Sequence, residues 1–387
     1  MKEVSKVKAY IKKSISAIIY EKHILSKLNY RFLANLNFSF QDEEYLYLIL
    51  DFFPGGDLRF YMNKGIIFSE IQIKFFISNL ILSLNYIHNN NIIHRDVKPE
   101  NLVFDGRGYL HLTDFGIARK IKNDKIIIDK SGTPGYLAPE VLLKKPQHFY
   151  TDFFSVGVIC YELLYGKKPF KGKNKKEIVE KVLYKNIKLK TKDLPEGFDQ
   201  DSNAFPDFIN KLLKKNHKER LGYNSIEEIK NHPWFEGMDW EVIENKDVDS
   251  QYMPFTPFVG DNFDSDFVNR KDSMNLEHYD EFLKKINSAK LFKNFYFNSF
   301  TSNLITKSKS EPIRERTSLS NKHTTVTEVN KNNISLNESG EYISDESLFE
   351  NNNNFILMKN SSDNIYMDKH KEKKNKEEKM IKKQLSG

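Results

Sequence analysis

The stretch Ile92–Asn101, IIHRDVKPEN, places an arginine, an aspartate, a lysine, a glutamate and an asparagine within seven consecutive residues, behind two apolar ones. Phosphoryl transfer is a reaction that needs an acceptor, a cation and an amide so close together. It asks little covalent work of a protein, which must hold the accepting hydroxyl in line and neutralise the charge that spreads over the moving group. In such chemistry Asp96 accepts the hydroxyl proton, Lys98 reaches the transferred phosphate and Asn101 offers a neutral oxygen to Mg²⁺. Thirteen residues further on comes Asp114-Phe115-Gly116. A carboxylate there supplies a second metal ligand, and the glycine lets the backbone turn sharply. Ala138-Pro139-Glu140 follows at a distance that leaves room for a surface loop.

Apolar residues recur with structural periods up to about residue 300, and Asn, Ser, Lys and Glu dominate beyond it, as in NNISLNESGEYISDES and NNNNFILMKNSSDN. Such a composition buries too little apolar surface to offset chain entropy, so 301–387 is expected to be a disordered tail ending in a solvated mixed-charge run. Before it, Ile15, Ile18, Ile19 and Leu25 share one side of a helical wheel, with Glu21 at its edge. YLYLILDFF reads as a buried strand. Ser69-Glu70-Ile71-Gln72 has capping-box spacing and opens a long apolar helix that ends near Asn89. Gly106 and Gly108 mark a hairpin turn between short apolar runs. Asp152 to Tyr165 is apolar almost all round, a core helix stopped by Gly166. Phe205, Phe208, Ile209, Leu212 and Leu213 repeat at helical spacing. A small strand-bearing region therefore precedes a larger, mainly helical one.

Composition narrows the function classes. The 387 residues are 39% hydrophobic and 13% aromatic, enough for a sizeable core in about two or three average domains. Cys160 is the only cysteine. That excludes an intrachain disulfide and suits a reducing compartment inside the cell, the cytoplasm or nucleus. No apolar run approaches the roughly 20 residues needed to cross a bilayer, and the N-terminus has no charged-then-apolar leader pattern. The net charge of +7 is spread along the chain. It suits solubility and anionic partners, and not a nucleic-acid stripe.

HRDVKPEN, DFG and APE, in this order and spacing, resemble the catalytic, metal-binding and loop-closing motifs of eukaryotic protein kinases. The lysine of KPEN, with Thr133 after Gly132, resembles the serine/threonine kinases. NHPWFEGMDW at 231–240, PFTP at 254–257, DNFD at 261–264 and LFKNFYF at 291–297 resemble the AGC group, to which cyclic-AMP-dependent kinase belongs. The resemblance covers residues 1–300. It implies an α+β, two-lobed protein-kinase fold, with a truncated small β lobe over 1–54, a mainly helical large lobe over 55–235 and a C-terminal extension over 236–300. It also implies transfer of the ATP γ-phosphoryl group, with Mg²⁺, to Ser or Thr of protein substrates by a monomeric enzyme.

Residue by residue, the resemblance makes Asp96 the base, Lys98 the screen for the moving phosphate, and Asn101 and Asp114 the metal ligands. Lys2, nineteen residues before Glu21, falls where the family carries a strand lysine that pairs with a helix glutamate and holds the α/β-phosphates. Leu50 is the gatekeeper, and Asp51 to Phe53 form a hinge presenting backbone groups to adenine. Asp57 and Phe263 reach the nucleotide pocket, and Phe292 and Phe295 dock on the small lobe. Asp152 holds the catalytic-loop backbone, and Glu140 pairs with Arg220. Asp57, Glu100 and Glu162 match acids that bind arginine upstream of the acceptor, which implies basic, Arg-directed substrates. Asp129 stands where AGC kinases carry a phosphorylated threonine. A carboxylate has about half the charge of a phosphate, and here it is expected to pair with Arg95 and Arg119 and order the loop unmodified. Ser131 and Thr133 are candidate phosphorylation sites in the same loop.

One departure stands out. No G-x-G-x-x-G occurs in the sequence. The backbone of such a loop gives the phosphates two or three charge-assisted hydrogen bonds of roughly 1.5–3 kcal/mol each, so a chain without it loses on the order of 10³-fold in nucleotide handling. The expectation is a piece of an active kinase whose loop lies upstream of Met1. The alternative is a catalytically impaired kinase-fold binding or scaffold protein. A nucleic-acid binder would rest only on the lysines of the tail.

Overall fold

The computed structural model describes residues 1–121, 126–248, 252, 254, 279–288 and 291–299. The expectations about the tail 301–387, the DNFD segment with Phe263, and PFTP beyond Pro254 lie outside the described residues.

Strand β1 (Lys2–Ser5) runs into helix α1 (Lys6–Ile11), where the Ser5 hydroxyl accepts the Lys8 N–H at 3.3 Å and caps the first turn. Helix α2 (Ile15–Leu25) turns Ile18, Glu21, Ile24 and Leu25 inward. Strands β2 (Leu36–Gln41) and β3 (Tyr45–Leu50) form an antiparallel pair, with Leu46 and Leu48 of β3 facing the core. Helix α3 (Leu58–Asn63) is capped by Asp57, whose carboxylate accepts the Phe60 N–H at 2.9 Å. Helix α4 (Glu70–Asn89) opens on the capping box, Ser69 and Gln72 each bonding the other's backbone N–H.

Strand β4 (Ile92–Ile93) leads into the catalytic stretch. Strands β5 (Leu102–Phe104) and β6 (Leu110–Leu112) make the hairpin read from Gly106 and Gly108. The Asp105 carboxylate closes its turn by accepting the Arg107 and Tyr109 N–H groups. Strand β7 (Arg119–Lys120) pairs with β4. The rest is helical: α5 (Pro139–Leu142), α6 (Tyr150–Tyr165), α7 (Lys175–Tyr184), α8 (Ala204–Leu212), α9 (Glu227–Lys230), α10 (Trp240–Asn245) and α11 (Tyr279–Ser288). Helix α6 ends on Gly166 at φ 61°, the left-handed cap that glycine makes without strain. It crosses α8 so closely that a Cβ on Gly157 would lie 2.8 Å from the Leu212 Cβ. Trp234 stacks on Phe205 of α8 at 4.3 Å. The Glu140 and Arg220 side chains are both buried and joined by bonds of 2.6 and 2.9 Å. Tyr252, in the extension, fits edge-on among Tyr61, Phe68 and Phe76.

The fourth strand of the sheet, β8 (Phe297–Asn298), comes from far along the chain, and the order is β1-β3-β2-β8. Just before it Phe292 and Phe295 are buried, their rings edge to face. Ser39 donates to the Phe295 carbonyl at 2.6 Å and Gln41 to the Phe292 carbonyl at 2.9 Å. Neither α1 nor the added strand follows from the local apolar pattern. Among the described residues no helix is long and apolar enough to cross a membrane.

Candidate active site

The catalytic stretch is held from beneath by Asp152, in the first turn of α6. Its carboxylate accepts the backbone N–H of His94 at 3.0 Å and of Arg95 at 2.8 Å, and bonds His88 Nε2 at 2.9 Å. Burial alone would push this carboxyl up, but His88, His94 and the Arg95 N–H outweigh it and hold it below the usual range. These bonds keep Arg95 at φ 72°, a left-handed conformation that a non-glycine residue adopts only where its surroundings impose it. Burial pushes the His94 ring pKa down; its Nε2 faces the Thr113 carbonyl at 3.1 Å, and Nδ1 accepts the Asp96 N–H at 3.3 Å.

Asp96 is the hub. Its Oδ1 accepts the Thr133 hydroxyl at 2.7 Å and the Thr133 N–H at 3.1 Å. Its Oδ2 accepts Lys98 Nζ at 2.7 Å and Asn101 Nδ2 at 3.3 Å. Lys98 also donates to Thr133 Oγ1 at 2.9 Å. Thr133, expected as a candidate phosphorylation site, is thus bonded to both Asp96 and Lys98. Asn101 donates its amide N–H to the Asp96 carbonyl at 2.9 Å, which turns the amide oxygen to the other side.

Asn101 and Asp114 leave the same end of the β5–β6 hairpin, because Leu102 pairs with Leu112 and the Thr113 N–H donates to the Asn101 carbonyl at 3.0 Å. Asp114 sits at φ 63° with Phe115 buried behind it against the His94 ring. Lys2 Nζ is 2.6 Å from Glu21 and 3.5 Å from Asp114. Burial would lower the Lys2 pKa, but the two carboxylates overcome it and raise it. Burial likewise works against the Asp114 carboxylate, and Lys2 and His94 hold its carboxyl below the ordinary value. Two carboxylates thus share one ammonium. A net negative, all-oxygen set beside an amide oxygen fits Mg²⁺, a hard cation that takes one or two carboxylates together with phosphate oxygens.

At the hinge, Asp51 uses its N–H on the Asn35 carbonyl and its carboxylate on Asn35 and Asn37. Its N–H and its carboxylate are thus both engaged. The Phe53 ring lies 4.2 Å from His111.

The three acids expected to receive a substrate arginine are already engaged. Asp57 caps α3. Glu100 and Glu162 are both taken by Arg59, a residue the motif reading passed over although it directly follows PGGDL. Glu100 belongs to the 3-10 turn Pro99–Asn101, so the cluster borders the catalytic stretch.

In the loop after Asp114, Arg95 grips Asp129 with two bonds of 2.8 and 2.5 Å. Ser131 donates to the same carboxylate at 2.7 Å, and Gln147 to the Asp129 carbonyl at 2.7 Å. Burial works against this carboxylate, but Arg95 and Ser131 hold its pKa at about 2. Arg119 acts on it only through space: its guanidinium donates to the Ala118 carbonyl at 2.8 Å and lies over the Tyr20 ring.

A two-lobed α+β fold with an aspartate hub beside a metal-competent pair defines the class, and comparison with known families agrees. Residues 1–235 match the family described as Protein kinase domain, and the chain belongs to it. Among curated proteins it is similar to a probable serine/threonine-protein kinase of Dictyostelium discoideum, 38% identical over 267 residues, covering 68% of this chain and 57% of that one. It is similar to serine/threonine-protein kinase sgk-1 of Caenorhabditis elegans, 35% identical over 257 residues, 66% of this chain and 54% of that one. Ribosomal protein S6 kinase alpha-2 of Homo sapiens is 36% identical over 258 residues, 65% of this chain and 34% of that one. These relatives agree with the AGC-like resemblance. The chain spans about half, or less, of the length of each.

Proposed function

We propose that the chain acts as a protein serine/threonine kinase, transferring the γ-phosphoryl group of ATP to Ser or Thr hydroxyls of protein substrates inside the cell. The observation that carries this reading is the Asp96 carboxylate, bonded at once by Lys98, Thr133 and Asn101. When bound, ATP supplies the phosphoryl group and Mg²⁺ neutralises its charge. Asp96 orients the acceptor hydroxyl and takes its proton, at the carboxylate oxygen where the Thr133 hydroxyl now rests. Lys98 stands ready to screen the moving group, and Asn101 and Asp114 to hold the metal. Lys2, anchored by Glu21, orients the remaining phosphates. A binding or scaffold protein has no use for this whole set, so its presence together favours the enzyme. The Arg95–Asp129 clamp does the work of a phosphothreonine, so the loop is ordered without that modification.

Asp96→Asn keeps the shape of the hub and removes the base. Its kcat with ATP and a protein substrate should fall by about 10²–10⁴, while nucleotide binding, read by titration, stays near wild type. An unchanged kcat would overturn the proposal.

A further inference from the structure

Arg59 lies in the first turn of α3, with its side chain only 13% exposed. Its Nε donates to Glu100 Oε1 at 2.9 Å, Nη1 to Glu162 Oε1 at 3.0 Å, and Nη2 to Glu162 Oε2 at 3.1 Å. Nη2 also bonds the Tyr136 hydroxyl, which in turn donates to Glu162. All three guanidinium nitrogens are thus in use, and Glu162, 6% exposed, receives a bidentate fork. Lys168 lies over the Tyr136 ring at 4.4 Å, close enough for Glu162 and Glu100 to act on its charge. Two carboxylates face two cations, and the cluster is neutral as a whole. It borders the catalytic cluster, Glu100 being two residues from Lys98 and next to Asn101.

A substrate guanidinium arriving here meets no unpaired carboxylate. To reach Glu162 it must displace Arg59, breaking charge-assisted bonds of the same kind as those it would form, and Glu100, 40% exposed with Oε1 already taken, offers it one solvated oxygen, so the exchange yields little net gain. We infer that Arg59 is a specificity-determining residue: an internal arginine that fills the Glu100–Glu162 acid pair, so that an arginine two residues upstream of the acceptor gives a peptide substrate no advantage. The inference rests on the kinase reading of the same groove, and it replaces the Arg-directed selection expected from the acids alone.

The test uses two labelled peptides that differ only in Arg or Ala two residues before the acceptor Ser, their binding to the full chain being read by fluorescence anisotropy. The wild-type protein should bind both within about twofold. Arg59→Ala should bind the arginine peptide about tenfold more tightly than wild type does, because the peptide guanidinium re-forms the fork, with no gain for the alanine peptide. Arg59→Met, which keeps the aliphatic stem, serves if the alanine variant does not fold, and its thermal midpoint should rise on adding the arginine peptide. A tenfold preference of the wild type for arginine overturns the inference. So does the absence of a gain in both variants, or failure of either peptide to bind any of the proteins. Phosphoryl transfer is measured separately: the binding pattern without transfer would count against the kinase reading and leave the role of Arg59 in place.

Discussion

Around Arg220 the helical lobe is closed by its own stretch of chain, whereas around Phe295 the sheet is closed from far away. Arg220 bonds Glu140, 80 positions earlier, and the Tyr150 carbonyl, 70 positions earlier. Phe295 receives the Ser39 hydroxyl across 256 positions, and β8 extends the sheet beside it. Both contacts are buried, but they differ in kind. The first is an ion pair with both charges out of water, where removing one partner strands the other. The second is apolar packing plus backbone hydrogen bonds, which can detach as a unit and leave the helical core intact. The helical lobe should therefore fail globally and the sheet locally.

The largest effect should come from breaking the ion pair. Arg220→Ala leaves the Glu140 carboxylate, 2% exposed, without its cation, and should lower stability by about 3–5 kcal/mol. Thermal unfolding would read this as a single transition at a lower midpoint, with amide exchange rising in α6 and α8 together. A loss under about 1 kcal/mol would mean that the pair behaves like an exposed one, and the contrast with the sheet would disappear. Next, Phe295→Ala removes a buried ring, at a cost of about 3 kcal/mol. Here hydrogen exchange should rise in β2 and α1 while α6 keeps its protection. Equal rises in all three would show the two lobes opening as one body.

Legibility followed the same divide. The capping box at Ser69, the stop at Gly166 and the hairpin at Asp105–Tyr109 depend on residues close in sequence, and each is visible as a spacing. The site residues Asp96, Lys98 and Asn101 meet within one turn for the same reason. What the chain did not disclose locally was β8, whose partner strand lies more than 250 positions away, and α1, too short for an apolar period to declare itself. The Arg59 cluster was half visible: its acids were found by motif, but the cation comes from a different element and only folding brings it in. Thr133 shows a third limit. A hydroxyl in a surface loop does not disclose its partners, here Asp96 and Lys98, 37 and 35 positions away.

A smaller effect sharpens the comparison within one lobe, because Arg95 and Arg220 are both buried yet their acids differ. Asp129 is 52% exposed, while Glu140 is buried. Asp129→Ala lets water reach Arg95, so stability should change by about 1 kcal/mol or less, while kcat/KM falls about tenfold as the loop loses its two charge-assisted bonds. A thermal midpoint as depressed as that of Arg220→Ala would place both pairs in one structural class.

The smallest effect is a flat line, and it separates a carboxylate clamp from a phosphate. The folded pKa of Asp129, about 2, lies below its ordinary value of 3.8. A depressed acid contributes its stability above the unfolded pKa and loses it as pH falls through the folded one. The contribution is therefore complete by about pH 5 and lost only toward pH 2. A phosphate in the same place would gain its second charge near pH 6, inside the working range. Across pH 5.5–8 the ratio of kcat/KM for wild type to that for Asp129→Ala should stay constant within about twofold. A ratio that climbs through pH 6 would assign the clamp to a group with phosphate-like ionisation.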